Sequence, residues 1–276
     1  MFKVTAMTNA DGDLLTAYAD HQRMRGLSPK TIKRRRTSIG IFLAFVRPLS
    51  VNDVDGSLVE EWLGLIPVAS TRKAYRADLS AFFRWAARRK LVTENPILEV
   101  EAVRVAQGLP RPIDSSLIAD LVRFAPDRET QLAVALGAYA GLRCFEVAAL
   151  TREDLSLDTK PPVVVVRNGK GGRDRVIPCH PYLAEVLRGV GPGRLCQHKT
   201  DTIGRKVSRY LRDSGTDATM HQLRHTFGTE AAAVSRDLLV VSELMGHASP
   251  TTTVRYTKLA GFRTADTVAT MYGAAG

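Results

Sequence analysis

The sequence predicts a mainly α fold with a small β-sheet in its second half, an α+β chain in two units. Three observations predict it. Apolar residues recur at three- and four-residue spacing over most of residues 14–86. One β-branched run, Val163-Val164-Val165-Val166, leads into a glycine-rich turn. Between these regions lies a polar, Pro-punctuated stretch from Asn95-Pro96 to Leu109-Pro110-Arg111-Pro112. The expected division is a helical unit over residues 10–93, a linker over 94–111 and a second unit over 112–276.

In the first unit Leu14, Leu15, Tyr18 and Gln22 share one helix face. Ser28-Pro29 is a helix start: the Ser hydroxyl accepts from free N–H groups, and Pro lacks the N–H that a first helical position leaves unbonded. Ile32, Ile39, Phe42, Leu43 and Val46 form the apolar stripe behind it, and Pro48 ends that helix. The opposite face carries Lys30, Lys33, Arg34 and Arg35. A short helix near 57–63 bears Trp62. The next begins near Ser70-Thr71, with Tyr75, Leu79, Phe82, Phe83 and Ala86 on one stripe and Arg72, Lys73, Arg76 and Arg84 mostly off it. Two basic helix faces in one small bundle favour a polyanion-gripping surface over a merely solvated one.

In the second unit Asp114 caps a helix carrying Leu117, Ile118, Leu121 and Val122. Residues 131–140 form an Ala-rich buried helix stopped by Gly141. A new helix starts at Leu142-Arg143, where Arg143 and Glu146, three apart, are surface neighbours. The Val run is the clearest strand. Asn168-Gly169-Lys170-Gly171-Gly172 turns it back, and residues 173–178 return as its partner, so Lys170 rides near a hairpin tip. Helices follow at Pro181–Leu187, 202–213, 221–233, 237–245, 249–256 and 262–271.

The composition narrows the function. The 276 residues carry a formal charge of +11, which in a chain of ordinary hydrophobic content points to nucleic acid as partner. Cys144, Cys179 and Cys196 are odd in number, widely spaced and form no CxxC, the usage of a reducing cytosol rather than of a disulfide framework or structural zinc. No signal peptide and no membrane span is expected. His221-Gln222-Leu223-Arg224-His225 has the i, i+4 histidines of an HExxH zinc helix, but Gln222 replaces the Glu base and Arg224 adds a cation. Gly169-Lys170-Gly171-Gly172 lacks the frame of a nucleotide-binding phosphate loop. No metal and no cofactor is expected.

A phosphodiester chemistry uses more of the residues. It needs a nucleophile, neutralisation of the non-bridging oxygens and a proton for the leaving alkoxide. Tyr256 is a candidate nucleophile. Arg143 and Arg224 suit bidentate grips on phosphoryl oxygens. His221 and His247 can donate hydrogen bonds or shuttle protons near neutral pH, and Lys170 can serve as general acid. Singly, each has a bland explanation: a surface charge, a turn lysine, a capping histidine, a half-buried Tyr. Their order and spacing together reverse that.

The chain resembles the tyrosine recombinases, the phage-integrase family. The likeness spans residues 28–271 and is most specific in Ala140-Gly141-Leu142-Arg143-Cys144-Phe145-Glu146, in His221-Gln222-Leu223-Arg224-His225-Thr226-Phe227, and in Leu244-Met245-Gly246-His247 with Tyr256 nine residues on. Lys170 before Arg175-Val176-Ile177-Pro178 resembles the family's hairpin lysine. Met245 and Gly228 stand where Leu and Ala are usual, without loss of a functional group. The resemblance implies a SAM-like core-binding domain followed by the catalytic domain, clamping duplex DNA. It implies Arg143, Lys170, His221, Arg224, His247 and Tyr256 as catalytic, with Glu146 supporting the pocket and His225 structural. Lys33, Arg34, Arg35, Arg72, Lys73, Arg76 and Arg173 are expected DNA contacts.

The activity implied is cleavage and rejoining of DNA through a 3′-phosphotyrosine without metal or ATP. A small phage-type integrase without an arm-binding domain, acting in a bacterial host's cytoplasm, is the first expectation. A chromosome-dimer, plasmid or transposon recombinase is the rival of the same chemistry, and a non-catalytic DNA-binding protein the rival of another class. Core-type duplex sites, a homotetramer in synapsis, a directionality factor and a C-terminal helix docking on a neighbouring protomer are the partners implied.

Overall fold

The computed structural model describes residues 9–105, 111–167 and 174–246, and the chain divides into two compact units, Met1–Gln107 and Gly108–Gly276. The expected helices at 249–256 and 262–271 and the tip of the hairpin lie outside the described residues.

In the first unit, α1 (Asn9–Met24), α2 (Pro29–Val46), α3 (Gly56–Gly64) and α4 (Ala69–Arg88) pack around an aromatic core. Ser28 caps α2 as its sequence predicts, accepting from the Thr31 N–H, and Asp55 caps α3 through the Leu58 N–H. Phe42 meets Trp62 edge-on at 5.2 Å, and Tyr18 meets Phe82 the same way at 5.3 Å. The chain past α4 departs from expectation. Pro96–Leu98 forms a single 3-10 turn, and Ile97 and Val100 are buried in this same core. The first unit therefore runs beyond residue 93, because the Pro-punctuated stretch conceals two apolar anchors.

In the second unit, α5 (Ile118–Arg123) and α6 (Arg128–Tyr139) precede α7 (Cys144–Ala149). Residues Leu132 to Ala138 of α6 are buried throughout, as an all-round apolar helix requires. A short β1 (Leu155–Ser156), which the sequence reading does not anticipate, pairs with β2 (Val163–Val166), and β2 pairs with β3 (Arg175–Pro178), all antiparallel. In β3 the inward positions are Arg175 and Ile177, while Val176 faces out. A charged residue thus takes the core side and an apolar one the solvent side, against the usual alternation. Helices α8 (Pro181–Leu187), α9 (Thr200–Asp213), α10 (Met220–Ser235) and α11 (Leu238–Met245) complete the unit.

Candidate active site

The turn at Gly141 and the start of α7 bring Arg143 and Arg224 to one cleft. Gly141 has φ +60, which breaks the chain sharply between α6 and α7, and a Cβ there would collide with the Phe227 ring of α10. Its carbonyl accepts from Arg224 Nη1. Arg143 is the N-cap of α7, where its backbone N–H donates to Glu146 Oε2 at 2.8 Å and its Nη1 to Glu146 Oε1 at 3.0 Å. The expected i, i+3 pair is therefore a two-point grip in which Glu146 accepts from both the backbone and the guanidinium of Arg143.

Glu146 is fully enclosed, and a second arginine holds it. Arg175 from β3 donates Nη1 to Oε1 and Nη2 to Oε2, both at 2.9 Å. Burial alone would raise the Glu146 carboxyl, but the Arg175 hydrogen bonds and charge, with the Arg143 N–H and charge, hold it below the ordinary carboxylate range. Sequence reading used Arg175 only as part of the stretch that follows Lys170. No local signal marked it for this role, since the carboxylate it serves stands 29 positions away.

The C-terminal end of α11 closes the arrangement. Arg175 Nε donates to the Leu244 carbonyl at 3.1 Å, Arg224 Nη2 to that of Met245, and Arg143 Nη2 to that of Gly246 at 3.4 Å. Carbonyls left unbonded by the last turn of a helix, at its negative dipole end, thus receive three cations. Gly246 itself has φ +59, and a Cβ there would meet Arg175 Cδ at 3.0 Å.

A cleft of 790 Å³ opens on this cluster, lined by Arg143, Arg224 and His221 and by Arg205, Arg209 and Arg212 of α9. His221 is exposed in the first turn of α10, whose N-terminus faces the cleft through Thr219 and Met220. Backbone N–H groups and the positive dipole end there favour an anion. The α9 arginines were not singled out from sequence, though they recur at i, i+4, i+7 opposite buried Ile203, Val207 and Leu211. His225 is buried, its ring edge-on to His221 at 4.2 Å. Among the described residues no group of three His, Cys, Asp or Glu side chains is placed to hold a metal ion, and no helix is long and apolar enough to cross a membrane.

Lys170, Arg173, His247 and Tyr256 lie outside the described residues. In the first unit Lys33 and Lys73 are exposed. Arg34 donates to buried Asp78 at 2.7 Å, and Arg35 pairs with the same carboxylate at 3.4 Å. Arg72 and Arg76, expected on the open face, are instead half-buried, donating to the carbonyls of Ile66 and Val100. Their guanidiniums serve carbonyls that lie just past α3 and just past the Pro96–Leu98 turn.

Residues 115–261 match the phage integrase family. The tyrosine recombinase XerC of Rhodospirillum centenum is 31% identical over 278 residues, covering 87% of this chain and 80% of that protein. The tyrosine recombinase XerD of Pseudomonas putida is 28% identical, covering 87% and 90%. Among solved structures, a lambda integrase dimer bound to a COC′ core site shares the fold, with TM-score 0.75 at 19% identity over 91% of this chain and 96% of that one. The chain therefore belongs to the phage integrase family and is a site-specific tyrosine recombinase.

Proposed function

We propose that this protein cleaves and rejoins duplex DNA through a 3′-phosphotyrosine formed by Tyr256. The observation that supports it most is the pair of guanidiniums, Arg143 and Arg224, fixed by Glu146 and by backbone carbonyls at one end of an arginine-lined cleft. Two fixed cations beside a helix N-terminus suit the charge that develops on the non-bridging oxygens as phosphorus becomes five-coordinate. Tyr256 Oη attacks phosphorus, the bond to O5′ breaks, and Lys170 gives that oxygen its proton. His221 and His247 donate to the phosphoryl oxygens or move protons. A 5′-hydroxyl from a second strand then attacks the phosphotyrosine and releases the Tyr. The diester energy is kept in the covalent link, so no ATP enters. The partner is duplex DNA, gripped also by Lys33, Arg34, Arg35, Lys73 and Arg173. Four copies assemble in synapsis, as in the lambda integrase tetramer solved on a Holliday junction.

The reaction served is integration and excision of a phage genome. A second reading, a resolvase of the same chemistry, is favoured by the likeness to proteins named XerC and XerD along most of the chain. One experiment tests the chemistry and separates the readings. The protein is incubated with nicked duplexes from a randomised pool, and DNA bound covalently in the presence of EDTA is recovered and sequenced. The expected adduct is a 3′-phosphotyrosine, absent in Tyr256→Phe. A recovered sequence at the junction of an integrated element supports integration, and one near the chromosome's replication terminus supports resolution. An adduct that survives Tyr256→Phe would sink the mechanism.

A further inference from the structure

We propose that Arg175 is a positioning residue for strand cleavage, the shared anchor that holds Arg143 and the end of α11 in one geometry. The inference rests on the recombinase reading above. Arg175 is 9% exposed, and all three of its guanidinium nitrogens are committed inside the protein. Two grip both oxygens of Glu146, whose other contacts are to the Arg143 backbone and guanidinium. The third grips the Leu244 carbonyl in the last turn of α11, one residue before the carbonyl that takes Arg224.

The consequence is geometric. A carboxylate can accept from several donors, so Glu146 alone would hold Arg143 loosely; a planar fork on the opposite side fixes the carboxylate plane. Arg143 then has one orientation toward the cleft. The same fork ties β3 to α11, and a Cβ on Gly246 would stand 3.0–3.3 Å from its Cδ, Nη1 and Nε, so that the fork would have to give way. One side chain therefore links the strand that follows Lys170 in sequence, the carboxylate behind Arg143, and the helix end that precedes His247 in sequence. Arg175 does not line the cleft, which separates its role from that of Arg143 and Arg224.

The test uses the full chain and a nicked suicide duplex of the sequence recovered by covalent capture. Covalent complex formation is followed under single-turnover conditions across DNA concentrations. For Arg175→Met the maximal rate is expected to fall about 100-fold while the half-saturating DNA concentration moves less than about threefold. Arg175→Lys keeps a cation at the buried position and so guards against a mere folding defect. Its single point charge cannot span both carboxylate oxygens, and its rate is expected about tenfold below wild type. Residues acting as one unit are non-additive, so Glu146→Gln with Arg175→Met should be no slower than the slower single variant. A wild-type rate in Arg175→Lys, a loss confined to DNA affinity, or multiplying losses in the double variant would each overturn the inference. Failure of the wild-type protein to form any Tyr256-dependent adduct would instead overturn the recombinase reading on which it rests.

Discussion

Among the described residues two buried carboxylates, Asp78 in the first unit and Glu146 in the second, each hold a pair of arginines, and they do so differently. Asp78 in the first unit is fully buried and takes Arg34, Arg35 and Ser38 from α2. Glu146 in the second takes Arg143 and Arg175 from two separate elements. The arginine side chains on Asp78 are 49% and 22% exposed, those on Glu146 21% and 7%. Asp78 thus sorts cations along one helix surface, with part of each head in water. Glu146 fixes cations from separate elements, Arg175 desolvated and Arg143 at the cleft wall. The same device makes a tethered basic face in one case and a rigid pocket wall in the other. A charge in water tolerates loss of its partner far better than one removed from water.

Truncating each carboxylate breaks that comparison most directly. Glu146→Ala strands Arg175 in the interior and releases Arg143. It is expected to cost about 3–5 kcal/mol of stability, the range for breaking a buried pair, and to abolish covalent complex formation. Asp78→Ala leaves arginines that can turn to solvent. Its cost is expected at about 1–3 kcal/mol, from the lost Ser38 and arginine hydrogen bonds, with cleavage of bound DNA intact. Denaturant melts and single-turnover cleavage read the two effects separately. Equal losses of cleavage in the two variants would erase the distinction.

The contrast also explains what was legible in the sequence. Elements declared themselves wherever the cause was local: the Ser28-Pro29 start, the stripe through Ile39 and Phe42, the Val163 run, the stop at Gly141. The pairing of Arg143 with Glu146 was legible because three residues on a helix are neighbours. Arg175 was not, because its partners stand 29 and 69 positions away and only the folded sheet brings them together. Ile97 and Val100 were missed for a related reason: two apolar residues among Pro and Glu carry no period. The α9 arginines had a period, but no motif drew attention to it.

A smaller effect sharpens the comparison at the level of surfaces. Arg205, Arg209 and Arg212 are exposed on one face of α9 and line the cleft. Each one that meets a phosphate releases counterions. Replacing it by Ala should lower the slope of log affinity against log salt by about 1 for duplex DNA. Arg72 and Arg76 hold the carbonyls of Ile66 and Val100 instead. Their replacement by Ala should lower the unfolding midpoint and leave the slope nearly unchanged. Fluorescence anisotropy on a labelled duplex between about 50 and 200 mM salt makes the measurement. A slope that responds to Arg72 and Arg76 but not to the α9 set would exchange the two roles.

The smallest expected effect is a pH dependence, and its sign follows from the carboxylate's surroundings. The folded-state value of Glu146 lies below its ordinary one, despite burial, because Arg175 and Arg143 favour the charged form. Its contribution to stability is therefore fully present above the unfolded value near ~4.3 and is lost as pH falls through the folded value. Glu146→Gln keeps the shape but has no charge to lose. The variant should melt below wild type at about pH 6, and the gap should narrow steadily as pH drops toward about 3.5. Burial would raise Asp127, Glu129 and Asp154 too, but hydrogen bonds from Thr130 and Lys206, from His198 and Lys206, and from Arg167 and Thr151 hold them low in turn, and they stay in both proteins, so both still weaken in acid. The informative quantity is the difference between the two melting curves. A gap that stays constant with pH would mean that Glu146 contributes through shape rather than charge, and would remove the electrostatic half of its contrast with Asp78.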